Sequence, residues 1–441
     1  MTNSLPFLKR QKVINMNDTS KKANAIKITK FEIRNYRSCS QTSLSPNSGL
    51  TALIGVNGSG KSNLLSAILL LKRASRGSSH MHLSKGDKEY LNRSYISAEI
   101  DFDSKLIKLR GEIFYFTNNQ NIDEVMRTTL LWNLESIDGF KAWTEFPIEA
   151  IMFRDDYSYF RYMRRRDFMH KQTRSSHKAD EQNLLAEKRF PFVRTISEYL
   201  GNINYYSASQ FSDPSRCPVS LELEDDRPRS RMERVTIDHE KFIFDLYRSN
   251  KRSTVAFQRY INVVGNDGIG LVDNVRFDEI ALPSDVVEVR AGGKTIKKER
   301  TKLIVVPIFS IAGKELSPNQ LSEGTFKTLA LLFYVLTDDS RLLLVEEPEV
   351  CIHHGLLTSI ITIIKEESKD KQIVISTHSD YVLDQLAPEN VVLVDRKGTQ
   401  GTKARPVNKT MSKTDFKALK KYLEESGNLG EYWREGGLVD E

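Results

Sequence analysis

The fold is decided by the stretch Gly55-Val56-Asn57-Gly58-Ser59-Gly60-Lys61-Ser62. It lies between an apolar strand candidate and a helix-forming run. Glycines let several backbone N–H groups point at one phosphate group, and the following helix presents its positive N-terminus to the same anion. This order predicts a phosphate loop for ATP, in which Lys61 binds the β- and γ-phosphates and the Ser62 hydroxyl binds Mg²⁺. The predicted nucleotide-binding residues of the loop are Gly55, Asn57, Gly58, Ser59, Gly60, Lys61 and Ser62.

A second motif, Leu342-Leu343-Leu344-Val345-Glu346-Glu347-Pro348-Glu349, ends an apolar strand candidate with adjacent carboxylates. Ligand sites of α/β proteins lie at the carboxyl ends of their strands. We expect Glu346 to hold Mg²⁺ through water and Glu347 to orient and deprotonate the attacking water. In isolation the same pattern could be a strand that ends in a solvated acidic turn, and the phosphate loop favours the catalytic interpretation.

Two shorter motifs are less specific. Leu321-Ser322-Glu323-Gly324-Thr325 combines a hydroxyl, a glycine N–H and a helix N-terminus, which together can bind an anion. The same residues also make an ordinary helix cap. Ser376-Thr377-His378-Ser379 ends another apolar strand candidate, where the His378 imidazole could sense a γ-phosphate. A lone histidine is more often structural. A functional role for both motifs is favoured only by their positions before and after the acidic strand.

The order of these motifs resembles the nucleotide-binding heads of ABC-type ATPases, in the branch that includes SMC, RecF and OLD-type proteins. FEIRNYRSCS (Phe31–Ser40) is similar to the first strand of that branch, and LSEGT stands where ABC proteins have the signature LSGGQ. EEPE is similar to the acidic strand, and STHS to the switch histidine. The resemblance implies an α/β fold, an ABC-type head with a mixed sheet and helices. A helical and β insertion would lie between the phosphate loop and the signature.

The resemblance also implies partners in catalysis. In that family two heads stack head to tail, so Ser322 and Gly324 would act in trans on ATP held at Lys61 of a second copy, in a dimer or higher oligomer. Hydrolysis would use Lys61, Glu347 and His378. A Q-loop glutamine that contacts ATP and Mg²⁺ is implied, and Gln210 is the candidate, although an ordinary polar loop residue fits the sequence equally well.

Two departures from the family pattern predict slow turnover. Glu346 replaces the usual aspartate, which lengthens the arm to Mg²⁺ by one methylene. Glu323 places a carboxylate beside the γ-phosphate site of the signature. Either change favours a slow ATPase that works mainly as a nucleotide-gated switch.

The spacing of the motifs predicts six segments. They are a flexible basic arm (1–24), the N-terminal part of the head with the phosphate loop (25–116), a charged insertion (117–200), a middle lobe with the Q-loop (201–315), the C-terminal part of the head (316–400), and a C-terminal helix and tail (401–441). Helices are expected at 121–130, 181–199 and 235–262, and a strand meander at 94–116. The aromatic residues of the C-terminal segment would either dock on the chain's own core or form an interface.

Composition and charge limit the class of protein. Of 441 residues, 39% are hydrophobic and 28% charged, which is typical of a globular chain, and no apolar run approaches the ~20 residues of a membrane span. Three cysteines without metal-ligand spacing indicate a reducing cytoplasm. The net charge of +7 is uneven, because residues 1–30 and 161–178 each carry a net +6. These two segments are candidates for DNA or RNA contact, although charge runs are more often solvated surface.

Stand-alone heads of this kind resemble the ATPase components of two-gene bacterial antiphage systems such as Septu and PARIS. The 261 residues that separate Lys61 from Ser322 fit neither a transporter head nor a coiled-coil arm, and about 60 residues after His378 leave no room for an appended nuclease. The leading hypothesis is therefore an ATPase sensor and scaffold that controls a separate nuclease or toxin. The alternatives are a RecF-like DNA repair or recombination ATPase and a structural module that binds ATP with little turnover.

Overall fold

In a computed structural model, the apolar runs of the sequence form strands of a mixed α/β fold. The structure describes residues 26–75, 94–102, 105–116, 125–133, 144–145, 191–224, 239–252, 254–283, 286–289, 295–298, 301–396, 398, 401–425 and 427–438. The strands are β1 (Ile26–Tyr36), β2 (Cys39–Leu44), β3 (Leu50–Ile54), β4 (Ser94–Phe102), β5 (Lys105–Phe116), β6 (Val125–Asn133), β7 (Thr144–Glu145), β8 (Asn204–Ser207), β9 (Leu221–Glu224), β10 (Asn274–Pro283), β11 (Val286–Val289), β12 (Thr295–Lys298), β13 (Thr301–Ile311), β14 (Lys314–Leu316), β15 (Leu342–Glu346), β16 (Gln372–Thr377), β17 (Val391–Arg396) and β18 (Thr402–Pro406). The helices are α1 (Lys61–Ser75), α2 (Pro191–Gly201), α3 (His239–Arg252), α4 (Val255–Val264), α5 (Glu323–Thr337), α6 (His354–Glu367), α7 (Asp380–Asp384), α8 (Val407–Thr410), α9 (Lys413–Glu425) and α10 (Leu429–Arg434).

The central sheet has the order β18-β17-β3-β16-β15-β8. Strands β17, β3, β16, β15 and β8 are parallel, and β18 pairs antiparallel with β17. Glu346 lies opposite Ser376 on one side and Ser207 on the other, while Ile54 lies opposite Thr377. Since parallel strands end at one edge, the segments that follow β3, β8, β15 and β16 all begin at the same edge of the sheet.

Both faces of this sheet are buried, which explains the unbroken apolar runs of its strands. In β15, Leu342 and Leu344 enter one hydrophobic cluster, whereas Leu343 and Val345 enter the other. Helices α1 and α2, with strands β1, β2 and β4, cover the first face, and helices α3 to α6 pack into the cluster on the second face. The predicted α/β fold with a mixed sheet and helices is confirmed.

A second, antiparallel sheet has the order β2-β1-β4-β5-β6-β7. Strands β4 and β5 form the meander expected at 94–116. The helix predicted at 121–130 is wrong over the described part of that range, because β6 pairs with β5 from Val125 to Asn133. The short run VMRTTLLWN contains β-branched residues and has no decisive period, so pairing with a neighbouring strand determines its structure. Helix α2 overlaps the range 181–199, of which residues 181–190 lie outside the described part.

The interval between the phosphate loop and the signature also contains two further sheets. Strand β13 pairs with β10, β14 and β9, and β11 pairs with β12. The helix expected at 235–262 is divided into α3 and α4, and the Thr254 hydroxyl caps the second by accepting the Phe257 N–H at 3.1 Å. The basic arm 1–24 and the basic segment 161–178 lie outside the described residues.

The C-terminal segment packs on the chain's own core. Leu419 and Leu429 are buried there. Helix α10 docks on α7, where the Gly430 N–H donates to Asp384 Oδ1 at 2.7 Å and Arg434 Nε lies 3.3 Å from Asp380 Oδ2. Strand β18 joins the central sheet, so the head sheet extends past residue 400. Within the ranges described above, no helix has the length and apolar character needed to cross a membrane.

Helix α5, which begins at the signature, lies in the core and has a buried cation at its C-terminal end. The Lys371 side chain is 7% exposed, and its Nζ donates to the carbonyls of Val335 (2.9 Å) and Asp338 (2.8 Å). The last carbonyls of a helix lack partners within the helix, and a cation there also complements the helix dipole. Lys371 therefore stabilises the end of α5.

Replacing Lys371 with methionine should lower the free energy of unfolding by about 3 kcal/mol, because two buried carbonyls lose their donor. Lys369→Met is the matched control, since Lys369 is 68% exposed and pairs with Glu366 at the surface. A surface ion pair of this kind contributes at most about 1 kcal/mol. Urea unfolding of both variants measures the difference, and equal losses would contradict the assigned role of Lys371.

Candidate nucleotide site

The phosphate loop connects β3 to α1, and its shape requires glycine at Gly60. This residue has φ +106°, and a Cβ atom there would lie 2.1 Å from Thr402 Oγ1. The buried Thr402 hydroxyl donates to the Ser59 carbonyl at 2.9 Å and contacts the Ser38 hydroxyl at 2.7 Å. Strand β18 therefore stabilises the phosphate loop through the contacts of Thr402. Asn57, Gly58 and Ser62 are exposed, so the outer side of the loop is accessible.

Lys61 lies at the bottom of the loop and is 6% exposed. Its Nζ donates to the carbonyls of Gly55 at 2.7 Å and Val56 at 3.3 Å. Burial lowers the pKa of the Lys61 ammonium, and the charges of Glu347, Glu349 and Glu346 oppose that shift. The loop lysine and the carboxylates that follow β15 therefore interact across the same edge of the sheet.

The two predicted catalytic and metal-binding carboxylates leave β15 in different directions. Glu347 has φ +48°, a left-handed conformation that costs a residue with a side chain about 1 kcal/mol or more, and such strain is concentrated at functional sites. Its backbone N–H donates to the Ser376 carbonyl at 2.9 Å, which joins the turn to β16. Glu346 Oε2 accepts a hydrogen bond from the Tyr205 hydroxyl. Tyr205, on β8, has its pKa raised by burial and by this carboxylate.

His378 lies beside two carboxylates. Its Nδ1 is 3.6 Å from Glu347 Oε1 and 3.5 Å from Glu349 Oε1, and its side chain is 42% exposed. Glu349 is buried, which raises the pKa of its carboxyl, while hydrogen bonds from Thr377 and the His378 N–H oppose the shift. Glu349 is a residue of this cluster that no sequence prediction named, although the motif EEPE contains it as a third carboxylate.

Gln210 lies in the turn Ala208–Phe211 that directly follows β8. Its Oε1 atom is buried and has no hydrogen-bond partner among the described residues. Since β8 ends opposite Glu346, the turn begins at the edge where β15 delivers its carboxylates. An oxygen atom in this position suits Mg²⁺, which prefers oxygen ligands. The oxygen donors of Ser62, Glu346 and Gln210 are therefore chemically suited to Mg²⁺.

The signature residues lie at the N-terminal end of α5, next to the turn that follows β15. Ser322 is exposed and caps α5, where its hydroxyl accepts the Thr325 N–H at 3.2 Å. Within the described ranges, no hydrogen bond joins Ser322 or Gly324 to the phosphate loop. The Glu323 carboxylate pairs with Lys327 Nζ at 2.7 Å, and this hydrogen bond lowers the pKa of Glu323. The predicted repulsion between Glu323 and a phosphate is thus reduced by a neighbouring cation.

This site defines a class of protein. A central sheet whose parallel strands bring a phosphate loop, paired carboxylates and a histidine to one edge is the site of a P-loop ATPase head. The chain belongs to the family described as "AAA domain, putative AbiEii toxin, Type IV TA system", whose model matches residues 50–384. The predicted relation to ABC-type heads of the branch with SMC proteins is confirmed.

Comparison with individual proteins gives relatives of the SMC type. The chromosome partition protein Smc of Methanocaldococcus jannaschii is 29% identical over 126 residues, which are 27% of this chain and 10% of that protein. The chain thus matches a tenth of the length of this curated relative. A solved SMC head bound to the C-winged helix domain of ScpA has 16% identity and a TM-score of 0.48, with 89% of this chain and 99% of that chain covered. The SMC head domain of Thermotoga maritima has 12% identity and a TM-score of 0.40, with 86% and 98% covered.

The hydrogen bond between Tyr205 and Glu346 predicts a specific defect in metal binding. In Tyr205→Phe the carboxylate loses the group that orients it, so the Mg²⁺ concentration needed for half-maximal binding of a fluorescent ATP analogue should rise about tenfold. Tyr199→Phe is the control, because its buried hydroxyl donates to Gln372 Oε1 at the start of β16, away from this edge. Equal Mg²⁺ requirements in the two variants would contradict the role of Tyr205.

Proposed function

We propose that this chain binds ATP with Mg²⁺, hydrolyses it slowly and uses the bound nucleotide to control a separate effector protein. The observation that carries the proposal is the placement of His378 Nδ1 3.6 Å from Glu347 Oε1, at the edge where the phosphate loop begins. A histidine and a carboxylate at this edge can act together on the terminal phosphate and on water. The buried Lys61, with its interacting carboxylates, supports the same assignment.

The phosphate loop would bind ATP through the backbone N–H groups of residues 55–62 and the Lys61 ammonium. Ser62, Glu346 and Gln210 would hold Mg²⁺, which when bound neutralises part of the phosphate charge. The Gln210 Oε1 atom, which has no hydrogen-bond partner within the described part of the chain, supports the place of Gln210 in this set. Gln210 follows β8 and Ser62 follows β3. The bound nucleotide would therefore link the segments that follow these two strands of the central sheet.

In the proposed hydrolysis, the oxygen of a water molecule attacks the γ-phosphorus and the bond to the β–γ bridging oxygen breaks. Glu347 takes one proton from the water and releases it to solvent, while the other proton stays on the phosphate product. The products are ADP and inorganic phosphate. His378 would hydrogen-bond to the γ-phosphate, and Lys61 would balance the negative charge on the β- and γ-phosphates.

We propose that two copies close head to tail on ATP. The exposed Ser322 hydroxyl at the N-terminus of α5, with Gly324 beside it, would contact nucleotide held by the other copy. Pairing of Glu323 with Lys327 supports this arrangement, because it reduces repulsion from a γ-phosphate. The longer arm of Glu346 supports slow turnover, so the closed state would persist long enough to serve as a signal.

A bacterial antiphage role is the finer part of the proposal. The description of the family names a toxin and a type IV toxin–antitoxin system, which supports a function in a two-component system with a separate effector, a nuclease or a toxin. A RecF-like DNA repair or recombination ATPase is the second candidate. The net charge of +6 on residues 1–30 and on 161–178, together with the similarity to a chromosome partition protein, favours contact with nucleic acid.

Substitution of Glu347 by glutamine tests the proposed hydrolysis. It should lower kcat by at least about 100-fold, because the residue that accepts the proton of water is lost, while ATP still binds. Glu315→Gln is the control, since Glu315 is an exposed carboxylate that pairs with Arg276 on another sheet. Phosphate release and equilibrium ATP binding are the measurements. Equal and negligible phosphate release by the wild type and Glu347→Gln would favour the structural module that binds ATP without turnover.

Co-expression with the neighbouring genes tests the finer proposal. Mass measurement of the purified complex should reveal a nuclease or toxin whose release depends on ATP hydrolysis. Absence of such a neighbour, combined with hydrolysis that DNA stimulates and salt weakens, would instead favour the RecF-like alternative.

A further inference from the structure

Glu349 is a third carboxylate in the turn after β15, and it is tied to the end of β16. Its side chain is 8% exposed. Its Oε1 atom accepts hydrogen bonds from the Thr377 hydroxyl at 2.6 Å and from the His378 backbone N–H at 3.1 Å. Its Oε2 atom is buried and has no hydrogen-bond partner among the described residues. Burying a carboxylate is unfavourable unless it is hydrogen-bonded or close to positive charge, so this position needs a reason.

The reason lies in the imidazole of His378. The Nδ1 atom is 3.5 Å from Glu349 Oε1 and 3.6 Å from Glu347 Oε1, so both carboxylates lie on the same side of the ring. A carboxylate next to one ring nitrogen favours a proton on that nitrogen. Nε2 is then the nitrogen that remains available to another group, as an acceptor in the neutral ring or as a donor in the charged ring.

We propose that Glu349 is a positioning residue for His378. It holds the backbone at His378 through one hydrogen bond, fixes the end of β16 through Thr377, and keeps the proton of the ring on Nδ1. The Nε2 atom is thereby left for the terminal phosphate or the attacking water. This inference rests on the proposed ATPase function, since it concerns the histidine of the same site.

Glu349 differs from Glu347 in both surroundings and role. The Glu347 side chain is 36% exposed and can meet water and substrate. Glu349 is enclosed by the turn after β15 and by the end of β16, and it acts through His378. The role of Glu349 is therefore to orient, and the role of Glu347 is to accept the proton.

The substitution Glu349→Gln separates the contribution of the carboxylate as a hydrogen-bond acceptor from the contribution of its negative charge. The glutamine side-chain oxygen can still accept from Thr377 and from the His378 N–H, but one of the two negative charges beside Nδ1 is lost, and only that of Glu347 remains. Glu349→Gln should lower kcat by about tenfold to a hundredfold and leave KM for ATP unchanged. Glu366→Gln is the matched control, because it removes an exposed carboxylate that pairs with Lys369.

A double-mutant cycle with His378→Ala tests whether Glu349 acts through the histidine. In the His378→Ala background, Glu349→Gln should have no further effect on kcat. If the losses in kcat multiply in the double variant, or if Glu349→Gln changes KM for ATP while kcat stays constant, Glu349 has an independent structural or binding role and the proposal fails. Thermal unfolding of each variant verifies that it is folded.

The location of the proton on the His378 imidazole can be measured without ATP hydrolysis. In ¹⁵N-histidine-labelled protein, the His378 nitrogens should show the proton on Nδ1 in the wild type and a weaker preference for Nδ1 in Glu349→Gln, where only Glu347 remains beside that nitrogen. Identical ring-nitrogen shifts in both proteins would overturn the proposal. If the wild type releases no phosphate, the proposed hydrolysis is wrong, and the ring shifts still decide whether Glu349 positions His378.

Discussion

The parallel register of the central sheet is the constraint on which the site depends. Glu346 lies opposite Ser376 and Ser207, and Ile54 lies opposite Thr377. This register lets the turns after four strands meet at one edge. A shift of one residue would move every side chain of a strand to the other face, so the burial of both faces also protects the register.

The first turn of the signature helix α5 is in direct contact with the turn that follows β15. A Cβ atom at Gly324 would lie 2.6 Å from the Cys351 carbonyl, so only glycine permits this approach. Lys327 is 1% exposed, and its Nζ lies 2.7 Å from Glu323 Oε1 and 3.5 Å from Cys351 Sγ. The surface that carries Ser322 and the turn that carries Glu347 and Glu349 therefore form one packed unit.

Most of the fold could be predicted from local pattern, and the failures have physical causes. The strands of the central sheet are recognisable because burial on both faces produces continuous apolar runs, as in LLLV at 342–345. Strand β6 was predicted as a helix because nine residues without a clear period are decided by pairing with β5. No sequence pattern indicated the contacts of Tyr205, Thr402 and Glu349, since each residue contacts a partner outside its own stretch of sequence. Tyr205 and Glu346 are 141 residues apart, and Thr402 and Ser59 are 343 residues apart.

The sequence by itself determined the class of fold and predicted the chemistry of the site. A glycine-rich turn, an apolar strand and adjacent carboxylates act within a few residues, so their meaning can be recognised in a short window of sequence. Only the tertiary structure decided how these pieces are supported: β18 against the phosphate loop, Tyr205 on Glu346, and Glu349 against His378. The physical reason is that hydrogen bonds and burial depend on distances in space, which sheet register and packing set between residues that are distant in the sequence.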